Sequence, residues 1–398
     1  MSSPRIAGVD VARGLALLGM MAAHVLVISD PVTGEPTLTG WLATGRPSAL
    51  FALLAGVGLA LMTGGTRPAR DPAKVRWNRA VIATRAGLVV LTGLLLAMLD
   101  AGVAIILVHY GVLFILALPF LRLRARALWW IAAGWVTLAP VLYWALHNEL
   151  RSTLEGFPDY WRLWHSPTPL DLADPALLGM DLALTGYYPL LLWPAYLFAG
   201  MAAGRSDLGS RAVAVRLLVI GGLLAIVSQA ISWSMIHATG LLPDYAQRFV
   251  QPEGIVRGEL LTGTHTLPLI TDPRWFLLAT PHEGSTMDLV HTLGCALAVL
   301  GACLLVLPAL RAVLTPLAGA GAMPLTLYAG HLLILFAWRG ELAPSWAEEV
   351  SPAMMMASLT ALALAGGLVK ARLGRRGPLE SLIHSAGTTV AGPRPSGP

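Results

Sequence analysis

Three polar side chains share one stripe of the first apolar segment. At about 100° per residue, Asp10, Arg13 and His24 fall within roughly 80° of one another on a helix. Charged groups are costly inside a membrane-spanning helix, so such a stripe must face other helices or a wet cavity. An imidazole is the usual general base near neutral pH, which makes proton transfer the expected chemistry. Pairing of Asp10 with an Arg13 that extends towards the membrane surface is the competing interpretation.

Further polar residues follow in the C-terminal half, where His282, His291 and His331 are candidates for the same chemistry. Asp288 and His291 are three residues apart and share one helix face, so the carboxylate either orients the imidazole or makes a local cap interaction. Several imidazoles around one cavity would suit proton transfer. Metal binding is the alternative, but neither HExxH nor CxxC spacing occurs, and we expect no metal.

The composition indicates where these residues lie. Of the 398 residues, 56% are hydrophobic and only 12% are charged, whereas soluble proteins carry roughly 25% charged residues. We therefore predict an all-α, polytopic membrane protein in the lipid bilayer. There is no basic patch with interleaved aromatic residues, so nucleic acid is not an expected partner. Ten apolar segments begin near Ile6, Ser48, Ala80, Ala101, Ala127, Tyr187, Ala212, Met287, Pro316 and Pro352.

The connections between the ten segments alternate in charge. Arginine and lysine concentrate on one side, and the long connection after residue 147 is acidic. The positive-inside rule then places both termini in the cytoplasm of a cell-membrane protein. It puts His24, His282, His291 and His331 on the outer side or in outer half-spans. We expect residues 1–384 to form one transmembrane domain and residues 385–398 to form a disordered cytoplasmic tail.

Several motifs occur in an order that resembles a known family. The stretch VDVARGLALLG, residues 9–19, is similar to the opening helix of bacterial membrane proteins related to heparan-alpha-glucosaminide N-acetyltransferase, in the transmembrane acyltransferase superfamily. Arg13 and His24 match the arginine–histidine spacing of the related family-3 membrane acyltransferases. Other similar segments are Ile105–Leu113, Gly186–Arg205, Pro281–Ser285 and Leu325–His331, and Gly377–Glu380 resembles the tail signature of a bacterial branch of unknown function.

This resemblance implies a bundle of ten or eleven helices that transfers an acyl group from cytoplasmic acyl-CoA, expected to be acetyl-CoA. The acceptor would be a sugar or another small molecule on the far side. By this analogy His24 is the catalytic histidine and Arg13 lines the donor site. We expect His24 to act as a base or as an acyl carrier, and Asp10 to form the donor side of the path together with Arg13. The CoA phosphates would lie near Arg13 and the basic second connection, which carries Arg67, Arg70, Arg76 and Arg79. Candidates for the acceptor side are His282, Asp288, His291 and His331.

Two other functions stay open from the sequence. A transporter or exporter of a lipid or small amphiphile would use the same polar stripe as its pathway, although no internal repeat of the kind common in transporters is evident. A non-enzymatic membrane partner would use the long outer loops, 147–186 and 238–286, as its binding surface. Acyl-CoA binding separates the acyltransferase from both alternatives.

Overall fold

The computed structural model describes residues 6–99, 101–153, 165–263, 269–339 and 344–395. Within these residues the regular secondary structure is helical, apart from one isolated bridge between Ser29 and Pro36, so the predicted all-α class is confirmed. The described α-helices are α1 (Ala7–Val25), α2 (Leu38–Ala43), α3 (Arg46–Met62), α4 (Pro72–Ala97), α5 (Leu107–Ala117), α6 (Ala125–Thr153), α7 (Pro175–Met180), α8 (Pro194–Gly204), α9 (Arg211–Ala238), α10 (Leu241–Phe249), α11 (Glu253–Thr262), α12 (Thr286–Gly321), α13 (Pro324–Arg339), α14 (Pro352–Leu373) and α15 (Pro378–Ala391).

Seven segments of the described chain are long and apolar enough to cross a membrane: α1, α2 with α3, α4, α6, α9, α12 and α14. The predicted count of ten is not confirmed. The segments expected near Ala101, Tyr187 and Pro316 contain shorter helices, namely α5, α8 and α13. A non-helical stretch, residues 186–193, precedes α8, and α12 continues through Pro316, so α8 and α13 are each shorter than the apolar run suggests.

Contacts between helix termini define two ends of the bundle. At one end, Arg205 after α8 donates to the carbonyl oxygens of Gly65 after α3 and Leu121 after α5. The start of α1, the end of α12 and the start of α15 lie at this end, which we call the arginine end. At the opposite end, Arg46 at the start of α3 bonds His291 near the start of α12. We call this the histidine end, because the last turn of α1 also lies there with His24.

Close packing between these helices depends on glycine at two crossings in particular. A Cβ on Gly200 of α8 would lie 1.8 Å from the carbonyl oxygen of Leu53 in α3. A Cβ on Gly321 at the end of α12 would lie 1.8 Å from the carbonyl oxygen of Asp10 in α1. Any larger residue would force the helices apart. All residues of α8 are buried, so this helix forms the centre of the bundle.

Helix α12 is too long for a single straight span. Its 36 residues would extend about 54 Å, against a hydrocarbon core of about 30 Å. The helix bends at Leu310, where φ is −112° and ψ is 22°, two residues after Pro308. Proline removes a backbone hydrogen bond and is the usual cause of such a bend. The part after the bend packs against α1 and α14.

The C-terminal segment is more ordered than its composition predicts. We expect disorder from residue 385 onwards, but α15 continues to Ala391, so residues 385–391 are helical. This helix packs along α4, where Ile383 and Gly387 are buried. The carbonyl oxygen of Gly392 also accepts a hydrogen bond of 2.9 Å from Trp77 Nε1. These tertiary contacts stabilise a helix that local propensity does not favour.

Candidate active site

His24 and His331 meet at the histidine end. His24 Nδ1 lies 3.1 Å from His331 Nε2, and the rings stack at 11° with centroids 5.4 Å apart. One nitrogen must donate and the other accept, so the contact occupies Nδ1 of His24 and leaves its Nε2 for other chemistry. The structure thus brings together two residues that the sequence places 307 positions apart.

Two neighbours hold this histidine pair. Arg339 at the end of α13 donates to the carbonyl oxygens of His24 at 2.8 Å and Val25 at 3.3 Å. These bonds satisfy carbonyl groups that the C-terminus of α1 leaves free. Tyr328 meets the ring of His331 edge-on, with centroids 4.9 Å apart. Since His331 is only 1% exposed, packing fixes its ring against α1.

His282 lies in the turn that precedes α12. Its φ of +65° is in the left-handed region, which few residues other than glycine adopt. The ring packs on Tyr187 at a tilt of 30° with centroids 3.9 Å apart and faces Tyr188 edge-on. Burial lowers the pKa of His282 to about 3, so the imidazole is neutral at pH 7. Strained backbone of this kind clusters at functional sites.

Glu283 follows His282 in the same turn and is a site residue that the sequence reasoning missed. Its Oε2 accepts a hydrogen bond of 3.3 Å from Trp275 Nε1. Burial raises the pKa of Glu283 to about 8, and the nearby carboxylate of Asp288 adds to the rise. The side chain is therefore mostly protonated at pH 7. The similarity of residues 281–285 to a family motif could have indicated Glu283 as a site residue.

Asp288 makes a local cap, one of the two interactions predicted for it. Its Oδ2 accepts a hydrogen bond of 2.9 Å from the backbone N–H of Gly284, and Ser285 Oγ accepts one of 2.9 Å from the N–H of Asp288. This exchange resembles a capping box at the start of α12. The other carboxylate oxygen, Oδ1, is buried and has no hydrogen-bond partner within the described residues.

His291 is engaged through both ring nitrogens. Nδ1 donates to the carbonyl oxygen of Ala225 at 3.0 Å, so Nε2 is the acceptor for the 3.1 Å hydrogen bond from Arg46 Nε. Arg46 also donates to the carbonyl oxygen of Thr44. A histidine with both nitrogens occupied is placed to hold Arg46 and not to take a proton from a substrate.

A small cavity, lined by apolar residues and a few polar side chains, lies between the start of α12 and α8. Its volume is about 10 Å³, close to the space that one water molecule needs. His282, Asp288, Thr292 and Tyr196 line it, and the Tyr196 hydroxyl lies 2.8 Å from Thr292 Oγ1. An unsatisfied carboxylate oxygen in such a place can accept a hydrogen bond from water, a hydroxyl or an ammonium group.

Asp10 and Arg13 form an ion pair near the arginine end of α1. Arg13 Nη1 lies 3.0 Å from Asp10 Oδ1, and Nη2 donates to the carbonyl oxygen of Leu54 in α3 at 3.3 Å. Gly58 makes room for the guanidinium, since a Cβ there would lie 2.9 Å from Nη2. The side chain of Arg13 is 22% exposed, so the guanidinium is still accessible.

Arg85 of α4 lies near this ion pair and was not predicted as a site residue from the sequence. It lies near enough to Arg13 and Glu380 to interact with both electrostatically, and its guanidinium is 5.7 Å from the centre of the Phe114 ring. Its Nε is buried without a hydrogen-bond partner in the part of the chain that the structure describes. Neighbouring guanidinium groups favour an anion. The position of Arg85 inside an apolar run of the sequence could have indicated a functional role, because charged residues are rare in membrane-spanning helices.

The four other arginines predicted to bind the donor lie on the surface of the arginine end. Arg67 and Arg70 are in the connection after α3, and Arg76 and Arg79 are in the first turns of α4; all four are exposed. Arg79 donates to the carbonyl oxygen of Leu118. No group of three or more His, Cys, Asp or Glu side chains is placed to hold a metal ion among the residues described.

A comparison with known protein families matches residues 5–231 to heparan-alpha-glucosaminide N-acetyltransferase, catalytic. The matched range runs from the start of α1 into α9, so it contains Arg13 and His24 and ends before His331. No curated protein matches the chain. Because the matched range covers more than half of the chain, this multi-pass membrane protein belongs to the heparan-alpha-glucosaminide N-acetyltransferase catalytic family.

Proposed function

We propose that the protein transfers an acyl group, expected to be acetyl, from cytoplasmic acyl-CoA to a sugar hydroxyl or amine on the other side of the membrane. The observation that carries the proposal is the hydrogen bond between His24 and His331. A reactive imidazole needs a partner that fixes its orientation and tautomer, and His331 is placed to be that partner. Family membership supports acetyl-CoA as the donor.

The arginine end suits the donor. Arg13 and Arg85 supply neighbouring guanidinium groups, which match the charge and the oxygen atoms of the CoA phosphates. His24 follows Arg13 by eleven residues of the same helix, a rise of about 16 Å. This distance is comparable with an extended pantetheine arm, so phosphates at Arg13 are compatible with a thioester near His24. The exposed Arg67, Arg70, Arg76 and Arg79 would attract the donor by charge.

His24 can act in two ways. As a base, its Nε2 accepts the proton of the acceptor while the acceptor atom bonds to the thioester carbon. The carbon–sulfur bond breaks, and His24 returns the proton to the departing thiolate. As a carrier, Nε2 itself bonds to the thioester carbon while the carbon–sulfur bond breaks and the thiolate leaves. The acceptor atom then bonds to that carbon, the carbon–nitrogen bond breaks, and the proton that the acceptor releases balances the one taken up by the thiolate. Both routes need a lone pair on Nε2, so the ring proton must lie on Nδ1 and be donated to His331 Nε2.

The turn before α12 would form the acceptor side. His282 is close enough to His24 to interact with it electrostatically, and His282 also lines the cavity with Asp288. The unsatisfied Oδ1 of Asp288 can accept a hydrogen bond from a hydroxyl or an ammonium group of the acceptor. In this proposal His291 stabilises the site through Arg46 and does not contact the acceptor.

The charge distribution supports a direction across the membrane. The exposed arginines of the second connection and Arg205 lie at the arginine end, together with the start of α1. The positive-inside rule would place this end and both termini in the cytoplasm of the cell membrane, and the histidine end outside. Donor and acceptor would then approach from opposite sides.

The test is the thermal stability of detergent-purified protein with acetyl-CoA or free CoA, followed by acetyl transfer to glucosamine. A ligand at about 100 times its Kd stabilises a protein by about 2.7 kcal/mol. We expect this shift in the wild type and in His24→Ala, its loss in Arg13→Ala, and its retention in Arg211→Ala, which removes an exposed arginine from α9. Transfer should be lost in His24→Ala. No shift in folded wild-type protein would refute the donor site.

A further inference from the structure

Glu380, at the start of α15, caps the start of another helix. Its Oε1 accepts hydrogen bonds from the backbone N–H groups of Leu325 at 2.7 Å and Thr326 at 3.1 Å, and its Oε2 accepts one of 2.6 Å from the Thr326 hydroxyl. Thr326 Oγ1 in turn accepts from the N–H of Leu379 at 3.1 Å. The starts of α13 and α15 are therefore joined by reciprocal hydrogen bonds.

This cap is supplied from a distant part of the chain. A helix leaves its first N–H groups unsatisfied, and the preceding residue usually provides an acceptor. Met323 precedes α13 and has no side-chain oxygen. The carboxylate of Glu380 takes this place and also interacts favourably with the helix dipole. Gly377 allows the approach, because a Cβ there would lie 2.2 Å from Glu380 Oε2.

Helix α13 connects this cap to the histidine pair. His331 follows Thr326 by five residues, a rise of about 7.5 Å along the helix. At the far end, Arg339 bonds the last carbonyl groups of α1. The helix is thus fixed at both ends, and the position of His331 opposite His24 depends on both attachments.

We propose that Glu380 is a positioning residue: by capping α13 it sets the depth and rotation of His331 and so maintains the hydrogen bond that orients His24. The catalytic consequence rests on the proposed acyl transfer, whereas the geometric consequence does not. Glu380 also lies near Arg85 at the arginine end. Its loss would leave more positive charge there, so a pure positioning role predicts a lower kcat without weaker donor binding.

The experiment compares Glu380→Ala with two matched variants. Glu380→Gln keeps an oxygen that can accept from both backbone N–H groups, and Ser381→Ala changes the next, exposed residue of α15. We expect kcat for acetyl transfer to fall about 2- to 12-fold in Glu380→Ala, the loss that corresponds to one neutral hydrogen bond, with no rise in KM for acetyl-CoA. In the other two variants kcat should be close to wild type. A raised KM with unchanged kcat would assign Glu380 to the donor site and overturn the proposal.

A second readout is independent of turnover. Solid-state NMR with ¹⁵N-labelled histidine detects the correlation across the hydrogen bond between His24 Nδ1 and His331 Nε2. The correlation should be present in wild type, Glu380→Gln and Ser381→Ala, and lost in Glu380→Ala. Its persistence in Glu380→Ala, or its absence from wild type, would overturn the positioning role. A different result would separate the two proposals. If the wild type shows the correlation but no acetyl transfer, and Glu380→Ala loses the correlation, the proposed function is refuted and the positioning role is still supported.

A further variant covers the case in which Glu380→Ala does not fold. Thr326→Val removes only the hydroxyl that bonds Glu380 Oε2 and the N–H of Leu379. We expect a smaller loss of kcat and a weakened histidine correlation. Wild-type values for both in this variant, with Glu380→Ala unfolded, would overturn the proposal.

Discussion

Replacing His331 by phenylalanine tests whether its ring nitrogen orients His24. Phenylalanine keeps a ring that can pack against His24 and Tyr328 but removes the acceptor for His24 Nδ1. A neutral hydrogen bond contributes about 0.5–1.5 kcal/mol, so the loss of orientation should lower kcat about 2- to 12-fold. His24→Ala removes the proton acceptor itself and should cost about 10²- to 10⁴-fold. Because His331 acts only through His24, the double variant should be no slower than His24→Ala.

The assay measures thiol release from acetyl-CoA in detergent, with glucosamine as the acceptor. His237→Phe is the matched control, since His237 lies at the end of α9 and stacks on Trp233. It should leave kcat unchanged. Multiplicative losses in the double variant would show that the two histidines act independently, and this result would refute the orienting role. Equal activity of His331→Phe and wild type would refute it as well.

Two predictions concern stability. Arg205 donates to the carbonyl groups of Ala60, Gly65 and Leu121 and to the Thr63 hydroxyl, so Arg205→Leu should lower the free energy of unfolding by at least about 3 kcal/mol. Thermal unfolding in detergent measures this change. A loss no larger than that of the exposed Arg211→Leu would contradict the prediction. Glu283 has a folded-state pKa of about 8 against an ordinary 4.5, so the folded protein binds its proton more tightly, and this stabilisation is lost as pH rises through 8. The stability of the wild type relative to Glu283→Gln should therefore fall between pH 5 and 8, by up to about 1.4 kcal/mol per pH unit. A difference between the two proteins that does not change with pH would contradict the assignment.

The first helix could be predicted well from the sequence. Its polar stripe depends only on helical periodicity, so the Asp10–Arg13 pair and the distance from Arg13 to His24 follow from residue spacing. The all-α membrane class follows from composition alone. The number of membrane spans could not be predicted from composition or hydropathy, because hydropathy does not show where an apolar run stops being helical. The non-helical residues 186–193 are the clearest instance.

The pairing of side chains across helices could not be predicted. Nothing local indicates that His331 contacts His24, because the contact depends on how α13 packs against α1. The same holds for His291, whose spacing suggested a partner in Asp288 while its nitrogens bond Ala225 and Arg46. Arg85 could have been found, since an isolated arginine in an apolar run needs an explanation.

The fully buried helix α8 has a consequence for biogenesis. Its eleven residues extend about 16 Å, roughly half of the hydrocarbon core. A segment this short does not partition into lipid as an independent span. Helix α8 therefore has to pack against helices that are already assembled in the membrane. It packs against the surface of α3 around Leu53, which Gly200 of α8 approaches closely. Helix α3 is synthesised well before α8, and its correct insertion should therefore determine whether the central part of the bundle forms during translation.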